Sequence, residues 1–375
     1  MKIPTARVQT NWGSSKMLKA TRTTLAVAFG FALASIGAGN AQGLKKVTIV
    51  HAVPQLSSSF ANESSLPLYL GFWKEEGLDV EVNTAPGTAA AMQLIIGGQA
   101  DIGVGNAHAS MQARQKGANV TSYYTSLRGD IFGIALPAGG AKGLGELKGK
   151  TVGVSSFASG GASYAKGLLG SAGLEVGKDV TLAEVGVGGR AAAALKGGQV
   201  QALSLWDEMY ARLAQSGVQL QPAIVDPRAK DLFASNLVVR ADDLKNKRDI
   251  LIGIARGIAK AQVFSQANPE AAVRIHWKVY PQSAPRDGIT DKTVKDEAAI
   301  LAVREKLYSK NAMGTGKFGD IPPEKVSAVQ NYLVETGQLE KKLDASVYYT
   351  NELIDEINKF NDADIVARAK SIKVD

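Results

Sequence analysis

An α/β protein of two similar lobes is what this sequence predicts, and three observations predict it. The first is an internal echo: Pro86-Gly87-Thr88-Ala89-Ala90-Ala91-Met92-Gln93-Leu94-Ile95-Ile96-Gly97-Gly98-Gln99 returns about a hundred residues later as Val187-Gly188-Gly189-Arg190-Ala191-Ala192-Ala193-Ala194-Leu195-Lys196-Gly197-Gly198-Gln199. The second is what flanks each copy. A β-rich run (Asp79 to Asn83, Thr181 to Val185) enters a Gly loop, and an Ala-rich helix then ends at Gly-Gly before a second apolar run. The third is that both copies are preceded by the same order of strand, Ser-rich loop and helix. A duplicated unit of this kind predicts two lobes facing each other across a cleft, the default place for a small ligand.

In the first lobe a strand spans Val47 to His51, a loop carries Ser57-Ser58-Ser59, and a helix around Leu66 to Glu75 is stopped by Gly77. The first copy comes next, then strands at Val120 to Ser126 and Phe132 to Leu136. The Gly- and Ala-rich stretch from Pro137 to Gly145 breaks the composition and marks the crossing between lobes. The second lobe opens with a strand at Thr151 to Ser155, a Ser/Gly loop through Gly161 and a helix to Ala172, then gives the second copy and a strand near Ala223 to Val225. Leu237-Val238-Val239-Arg240 reads as the chain's return, and the chain beyond it is helical. Asn268-Pro269-Glu270 and Pro322-Pro323-Glu324 are helix starts, Gly337 a helix stop, and Thr350 to Phe360 the last amphipathic helix. The expected boundaries are a first lobe of residues 42–136 plus 236–375 and a second lobe of 137–235.

Charge and composition narrow the function. Lys16, Lys19 and Arg22 precede an apolar run from Leu25 to Ile36 and small residues through Ala41, the pattern of a secretory signal peptide over residues 1–41, cleaved after Ala41. Met17 would make a tighter start, so residues 1–16 are expected to be an over-extended beginning. Five of the formal +8 charges lie before Ala41, leaving about +3, which gives nucleic-acid binding little electrostatic support. There is no cysteine, which excludes disulfides, thiolate chemistry and a lipid-bearing N-terminal Cys. The expected mature protein is a free periplasmic monomer without metal or cofactor.

Two glycine motifs fail as nucleotide sites. Lys148-Gly149-Lys150-Thr151 lacks a glycine at phosphate-loop spacing and enters a strand where such a loop must leave one. Gly186-Val187-Gly188-Gly189-Arg190-Ala191 fits a dinucleotide fingerprint, but a whole lobe precedes it and an exported protein meets little nicotinamide cofactor. Catalytic constellations are thin: three histidines, no H-E-x-x-H and no G-x-S-x-G. His276 reads as structural, and His51 at a strand end is open between packing and cleft.

What remains is a set of helix N-termini, whose free N–H groups and dipole capture anions or polar groups. Such ends come after Ser57, Ser58 and Ser59, after Gly87 and Thr88, after Ser155 and Ser156 through Gly160 and Gly161, and after Gly188 and Gly189. At the ends of the twin units stand Asn106 and His108 in one lobe and Trp206 and Asp207 in the other, Trp206 being open between core and cleft. Arg128 and Arg190 are candidate counter-ions for an anionic ligand.

The run Pro67-Leu68-Tyr69-Leu70-Gly71-Phe72-Trp73-Lys74-Glu75-Glu76-Gly77-Leu78-Asp79-Val80-Glu81 resembles the signature near the start of periplasmic binding proteins of ABC importers for sulfonates, nitrate, taurine and thiamine-pyrimidine precursors. Leu147-Lys148-Gly149-Lys150-Thr151-Val152-Gly153-Val154 is similar to that family's entry into its second lobe. The resemblance implies a type II periplasmic binding fold, with two α/β lobes joined by two crossing strands. It implies ligand contacts around Gln55 to Ser59, at Gly87 and Thr88, at Asn106 to His108, at Ser155 to Gly161, at Gly188 to Arg190, and near Trp206 and Asp207. Gln199-Val200-Gln201-Ala202 departs from the family where an acid often precedes the Ala. The Cys-rich motif of the thiamine-pyrimidine synthases is absent, which argues against that enzymatic branch.

The expected function is capture of a small, anionic organic solute, a sulfonate or carboxylate, and its delivery to the transmembrane subunits of an ABC permease, with no bond-making step. The alternatives are an exported enzyme on the same scaffold and the ligand-binding subunit of a membrane sensor.

Overall fold

Two sheets organise the chain: the second is built from consecutive strands, and the first is completed by a strand that returns after it. A computed structural model describes residues 43–228, 232–312 and 315–374; the expected signal peptide lies outside them. The first sheet has the order β2-β1-β3-β9-β4, with β1 Lys45–His51, β2 Leu78–Thr84, β3 Ile102–Gly105, β4 Val120–Leu127 and β9 Ser235–Arg240. The second has the order β5-β8-β6-β7, with β5 Phe132–Ala135, β6 Thr151–Val154, β7 Thr181–Glu184 and β8 Ala202–Trp206. In each, three strands run parallel (β2-β1-β3 and β7-β6-β8) and a fourth is antiparallel to the third. Those antiparallel strands are the crossings: β5 arrives from the first lobe and β9 returns from the second.

The twin segments occupy matching places. The helix Thr88–Ile96 links β2 to β3, and the helix Gly189–Lys196 links β7 to β8, each ending at a Gly-Gly whose second glycine has a positive φ. Parallel strands covered on both faces must be apolar on both. Ile49 and Val50, adjacent on β1 and both fully buried, accordingly fall in separate core clusters. One cluster includes the Arg248–Ala267 helix, the other the Thr88–Ile96 helix.

Several expectations about segments change. The strand Phe132–Ala135 pairs with β8 in the second sheet, so the crossing lies at residues 128–131 and not at Pro137 to Gly145. The helix Pro323–Glu335 does not simply cover the first lobe. Its Val326, Val329, Tyr332 and Leu333 share one core cluster with the second lobe's Gly160–Ser171 helix and with the first lobe's Ala107–Gln115 helix. The helix expected around Leu66 to Glu75 is split into Ser65–Tyr69 and Phe72–Glu75 by Gly71 at φ 74°. The last helix is Asp362–Ser371, capped by Asn361, while Thr350 to Phe360 holds only the short turn Ile354–Ile357. Among the described residues no helix is long and apolar enough to cross a membrane.

Glycines in the Gly160–Ser171 helix set how closely it lies on its neighbours. A Cβ at Gly161 would stand 2.6 Å from the Ser204 carbonyl oxygen of β8, whereas one at Gly170 would meet nothing within 4 Å. The two replacements are therefore expected to act in opposite directions: Gly161→Ala lowers stability by about 1–3 kcal/mol through overpacking, and Gly170→Ala raises it by about 0.5 kcal/mol by restricting the unfolded chain. Urea unfolding of both variants checks the contrast.

Candidate functional site

The carboxyl ends of four parallel strands, two from each sheet, meet at one cavity of about 70 Å3. His51 and Ala52 come from the end of β1, Gly105 and Asn106 from β3, Ser155 from β6 and Trp206 from β8. Apolar groups form most of the remaining wall, among them Phe60, Val104, Leu127, Ile131, Phe132 and Tyr308. At roughly 10–15 Å3 per water-sized probe, this volume suits a ligand of only a few heavy atoms in the lobes' present separation. A second cavity of about 180 Å3 shares the wall formed by Val53, Pro54, Phe60 and Trp206 and is also lined by Gln55, Ser57, Ser58 and Gly188.

The lobes touch around the cavity through short groups. Gly87 lies so near the second lobe that a Cβ there would stand 2.5 Å from the Ala158 carbonyl oxygen, and the Ser156 hydroxyl donates to the Pro86 carbonyl at 2.6 Å. A Cβ at Gly160 would run into Asn106 Nδ2 and come within 2.6 Å of the Phe132 ring. Asn106 and Ser159 also act as caps, accepting from Ala109 N and Ala162 N at 3.2 Å, whereas the Thr88–Ile96 helix starts without a side-chain cap.

One side of the site is an ion cluster that crosses between lobes. Arg304 is 2 % exposed. Its Nε and Nη2 donate to Asp207 Oδ1 at 2.8 and 2.6 Å, its Nη1 stands 3.7 Å from Glu208 Oε2, and its face lies 5.9 Å from the Phe60 ring centre. Arg212 grips Glu297 with two prongs, at 2.8 and 2.5 Å. The Ser57 hydroxyl donates to Glu208 at 2.9 Å and the Ser58 hydroxyl to Glu297. Burial pushes the Glu208 carboxyl up, but Arg304 and Arg212 and the hydroxyls of Ser59 and Ser57 more than offset this and hold it below the ordinary carboxylate range.

The acidic group in the cavity wall is Glu63, 1 % exposed. Its Oε1 accepts from the hydroxyls of Ser126 and, at 3.5 Å, Ser235; its Oε2 has no hydrogen-bond partner among the described residues. Burial pushes this carboxyl up to about 7, against the pull of Ser126, Arg304 and Ser235. His51 Nε2 lies 3.0 Å from the Glu63 carbonyl, so that nitrogen is the donor, and burial pushes the ring down to about 4, leaving it neutral.

Of the residues singled out from sequence, Thr88, Asn106, Ser155, Gly160 and Trp206 line the first cavity, and Gln55, Ser57, Ser58, Gly188 and Trp206 line the second. Ser57 and Ser58 nevertheless direct their hydroxyls at the ion cluster. Gly87 and Ser156 form the lobe contact. Four side chains depart from their expected role. Arg128 is a structural cation, bound to Asp320 at 2.9 Å, to the Lys317 carbonyl and to the Ser309 carbonyl, because it leaves β4 pointing toward that loop. Arg190 is exposed on the helix Gly189–Lys196, its side chain lying over Gly186, and lines neither cavity. His108 packs beneath the site, its ring 6.2 Å from that of Tyr332. Asp207 is held by Arg304. Glu63, Phe60, Tyr308 and Arg304 are the residues that sequence reasoning missed. Glu63 had a signal: it falls at helical spacing after Leu56 and Phe60, an acid on an apolar face. Arg304 had none, since its partners lie about a hundred residues away.

The family model described as NMT1/THI5 like matches residues 67–272. No curated protein matches the chain by sequence. Among solved structures, a protein of Bordetella bronchiseptica RB50 is similar at 23% identity and a TM-score of 0.64, over 84% of this chain and 97% of that one. The alkanesulfonate-binding protein SsuA from Xanthomonas axonopodis pv. citri, bound to MOPS, is similar at 14% identity and a TM-score of 0.63, over 83% of this chain and 99% of its own. The desulfurization enzyme DSZB is similar at 14% identity and a TM-score of 0.53, over 83% and 98%. These likenesses show the fold, which is the type II periplasmic binding fold with two α/β lobes.

The site's electrostatics carry two expected outcomes. Arg304→Met leaves Asp207 without its cation and Glu208 with Arg212 alone, and is expected to cost about 3 kcal/mol of stability, read by urea unfolding. Burial also pushes His108 and His276 down to about 4, as it does His51. Folded-state pKa values below the unfolded 6.5 mean a contribution present in full above pH 6.5 and lost as pH falls toward 4. Glu63 and Asp130, both pushed up to about 7 chiefly by burial, act in the opposite sense and lose their contribution as pH rises through 7. The urea midpoint is expected to fall between pH 6.5 and 4.5, and to fall less in His276→Gln.

Proposed function

The chain belongs to the NMT1/THI5-like family, and on that premise we propose that it is the extracytoplasmic solute-binding component of an ABC importer. It holds a small organic solute between its lobes and presents it to the transmembrane subunits of a permease. The observation that carries this reading is the convergence of four strand ends from two sheets on one apolar cavity with a few placed polar groups. Contacts such as Ser156 to Pro86 and Arg304 to Asp207 cross the cleft beside it, so a solute touching both walls favours the closed arrangement through its differential affinity. Similarity to SsuA supports the reading at the level of fold.

The expected choice of an anionic solute rested on helix N-termini, on the resemblance to binders of sulfonates and nitrate, and on Arg128 and Arg190 as counter-ions. Neither arginine lines the cavity, which removes that part of its support. No bond-making step is part of the proposal. The shared fold of DSZB makes a test of turnover necessary, because fold alone does not decide between binding and catalysis.

A thermal-shift screen of the exported protein against small acids, bases and neutral solutes tests the reading. A true solute raises the melting temperature in proportion to the logarithm of its concentration and is recovered unchanged by mass spectrometry after prolonged incubation. Trp206→Ala is expected to weaken its binding by about 2 kcal/mol, because the indole forms the wall shared by both cavities. A solute consumed during incubation would make the protein an enzyme.

A further inference from the structure

We propose that the cavity, taken as the solute site argued above, selects a neutral or cationic solute that donates an N–H hydrogen bond to Glu63 from a mainly apolar body. It rejects sulfonates, carboxylates and nitrate. The cavity contains one cationic side chain among the described residues, Arg304, and that guanidinium is already engaged. Two of its nitrogens are bound to Asp207, the third faces Glu208, and its plane lies on the Phe60 ring. The neighbouring Arg212 is closed in a two-pronged pair with Glu297. Two guanidiniums thus stand against three carboxylates before Glu63 is counted, and an entering anion finds no free cation to meet it.

What the cavity does offer is an acceptor. Glu63 is almost wholly buried, both serine hydroxyls near it are directed at Oε1, and Oε2 is without a partner among the described residues. A carboxylate oxygen without a donor on the wall of a mainly apolar cavity is an acceptor that a ligand N–H can meet. His51 adds no positive charge, since its ring is neutral and its Nε2–H is directed at a backbone carbonyl. Trp206 lines the same cavity, and its indole N–H is buried without a partner among the described residues. The strongest feature on the anion's side is the uncapped start of the Thr88–Ile96 helix. Its dipole is worth about half an elementary charge, against the excess of carboxylate over guanidinium in the ion cluster.

Four probes of one shape separate the charge classes: benzamidine, benzamide, benzoate and benzenesulfonate, titrated calorimetrically into the exported protein at pH 7.5. The expected result is binding of benzamidine and benzamide, with benzoate and benzenesulfonate at least tenfold weaker. Glu63→Gln is expected to weaken benzamidine at least tenfold and benzamide less than threefold, with its melting curve checked for folding. The wild-type ranking decides the matter even where that variant fails to fold. Benzoate or benzenesulfonate binding as tightly as benzamidine overturns the proposal. Where none of the four binds, the wider solute screen decides by the charge of its hits: cationic or neutral donors uphold the proposal, and anionic hits overturn the charge class while leaving solute capture intact. No hit of any charge overturns solute capture itself.

Discussion

Arg304 is the charge on which both the meeting of the lobes and the chemistry of the cavity depend. It stands on a segment packed against the end of β4, where the Arg128 amide donates to the Leu307 carbonyl, while its carboxylate partners Asp207 and Glu208 begin the helix after β8. Burying a guanidinium costs several kcal/mol unless its hydrogen bonds and charge are met. They are met only with the lobes together. Parting the lobes returns these ions to water, which solvates them about as well, so such a cluster fixes the geometry of closure without greatly favouring it. The same engagement removes positive charge from the cavity wall and leaves Glu63 as its most distinctive polar group.

The exchange of strands imposes a second constraint. Because β5 is hydrogen-bonded within the second sheet and β9 within the first, the chain passes between the lobes only in the short segments that precede these strands, and no ladder joins one sheet to the other. Motion is confined to the short segments beside them, where the Ala234 amide donates to the Leu127 carbonyl and the Asp207 amide to the Ile131 carbonyl. The cavity opens beside these segments, with Leu127, Ile131 and Ala234 in its wall, so a small rotation there changes its width directly.

Much of this architecture was legible in the sequence because it is written in local chemistry. The Gly-Gly helix stops, the Ala-rich helices and the flanking β-runs all depend on near neighbours, and the twin strand-helix-strand units fall where they were expected. The return strand at Leu237 to Arg240 was legible for the same reason. The crossing was misplaced because Pro137 to Gly145 is a true composition break, yet it sits in a surface turn after β5 and not before it. The site was legible in its backbone parts, such as Thr88, Asn106, Ser155 and Gly160, which succeed strands or open helices. It was not legible in its charges. Whether an arginine faces a ligand or a carboxylate is settled by partners far away in the chain, as Arg128 with Asp320 and Arg304 with Asp207 demonstrate.

The contact of Gly87 with Ala158, together with that of Ser156 with Pro86, is made by main chain and one hydroxyl. Shape at that point is therefore nearly independent of which large side chains line the cavity. Substitutions at Phe60, Glu63, Phe132 or Trp206 can alter what is held while the surfaces that come together stay the same. At these four positions the cavity wall can change while the Gly87–Ala158 and Ser156–Pro86 contacts stay as they are.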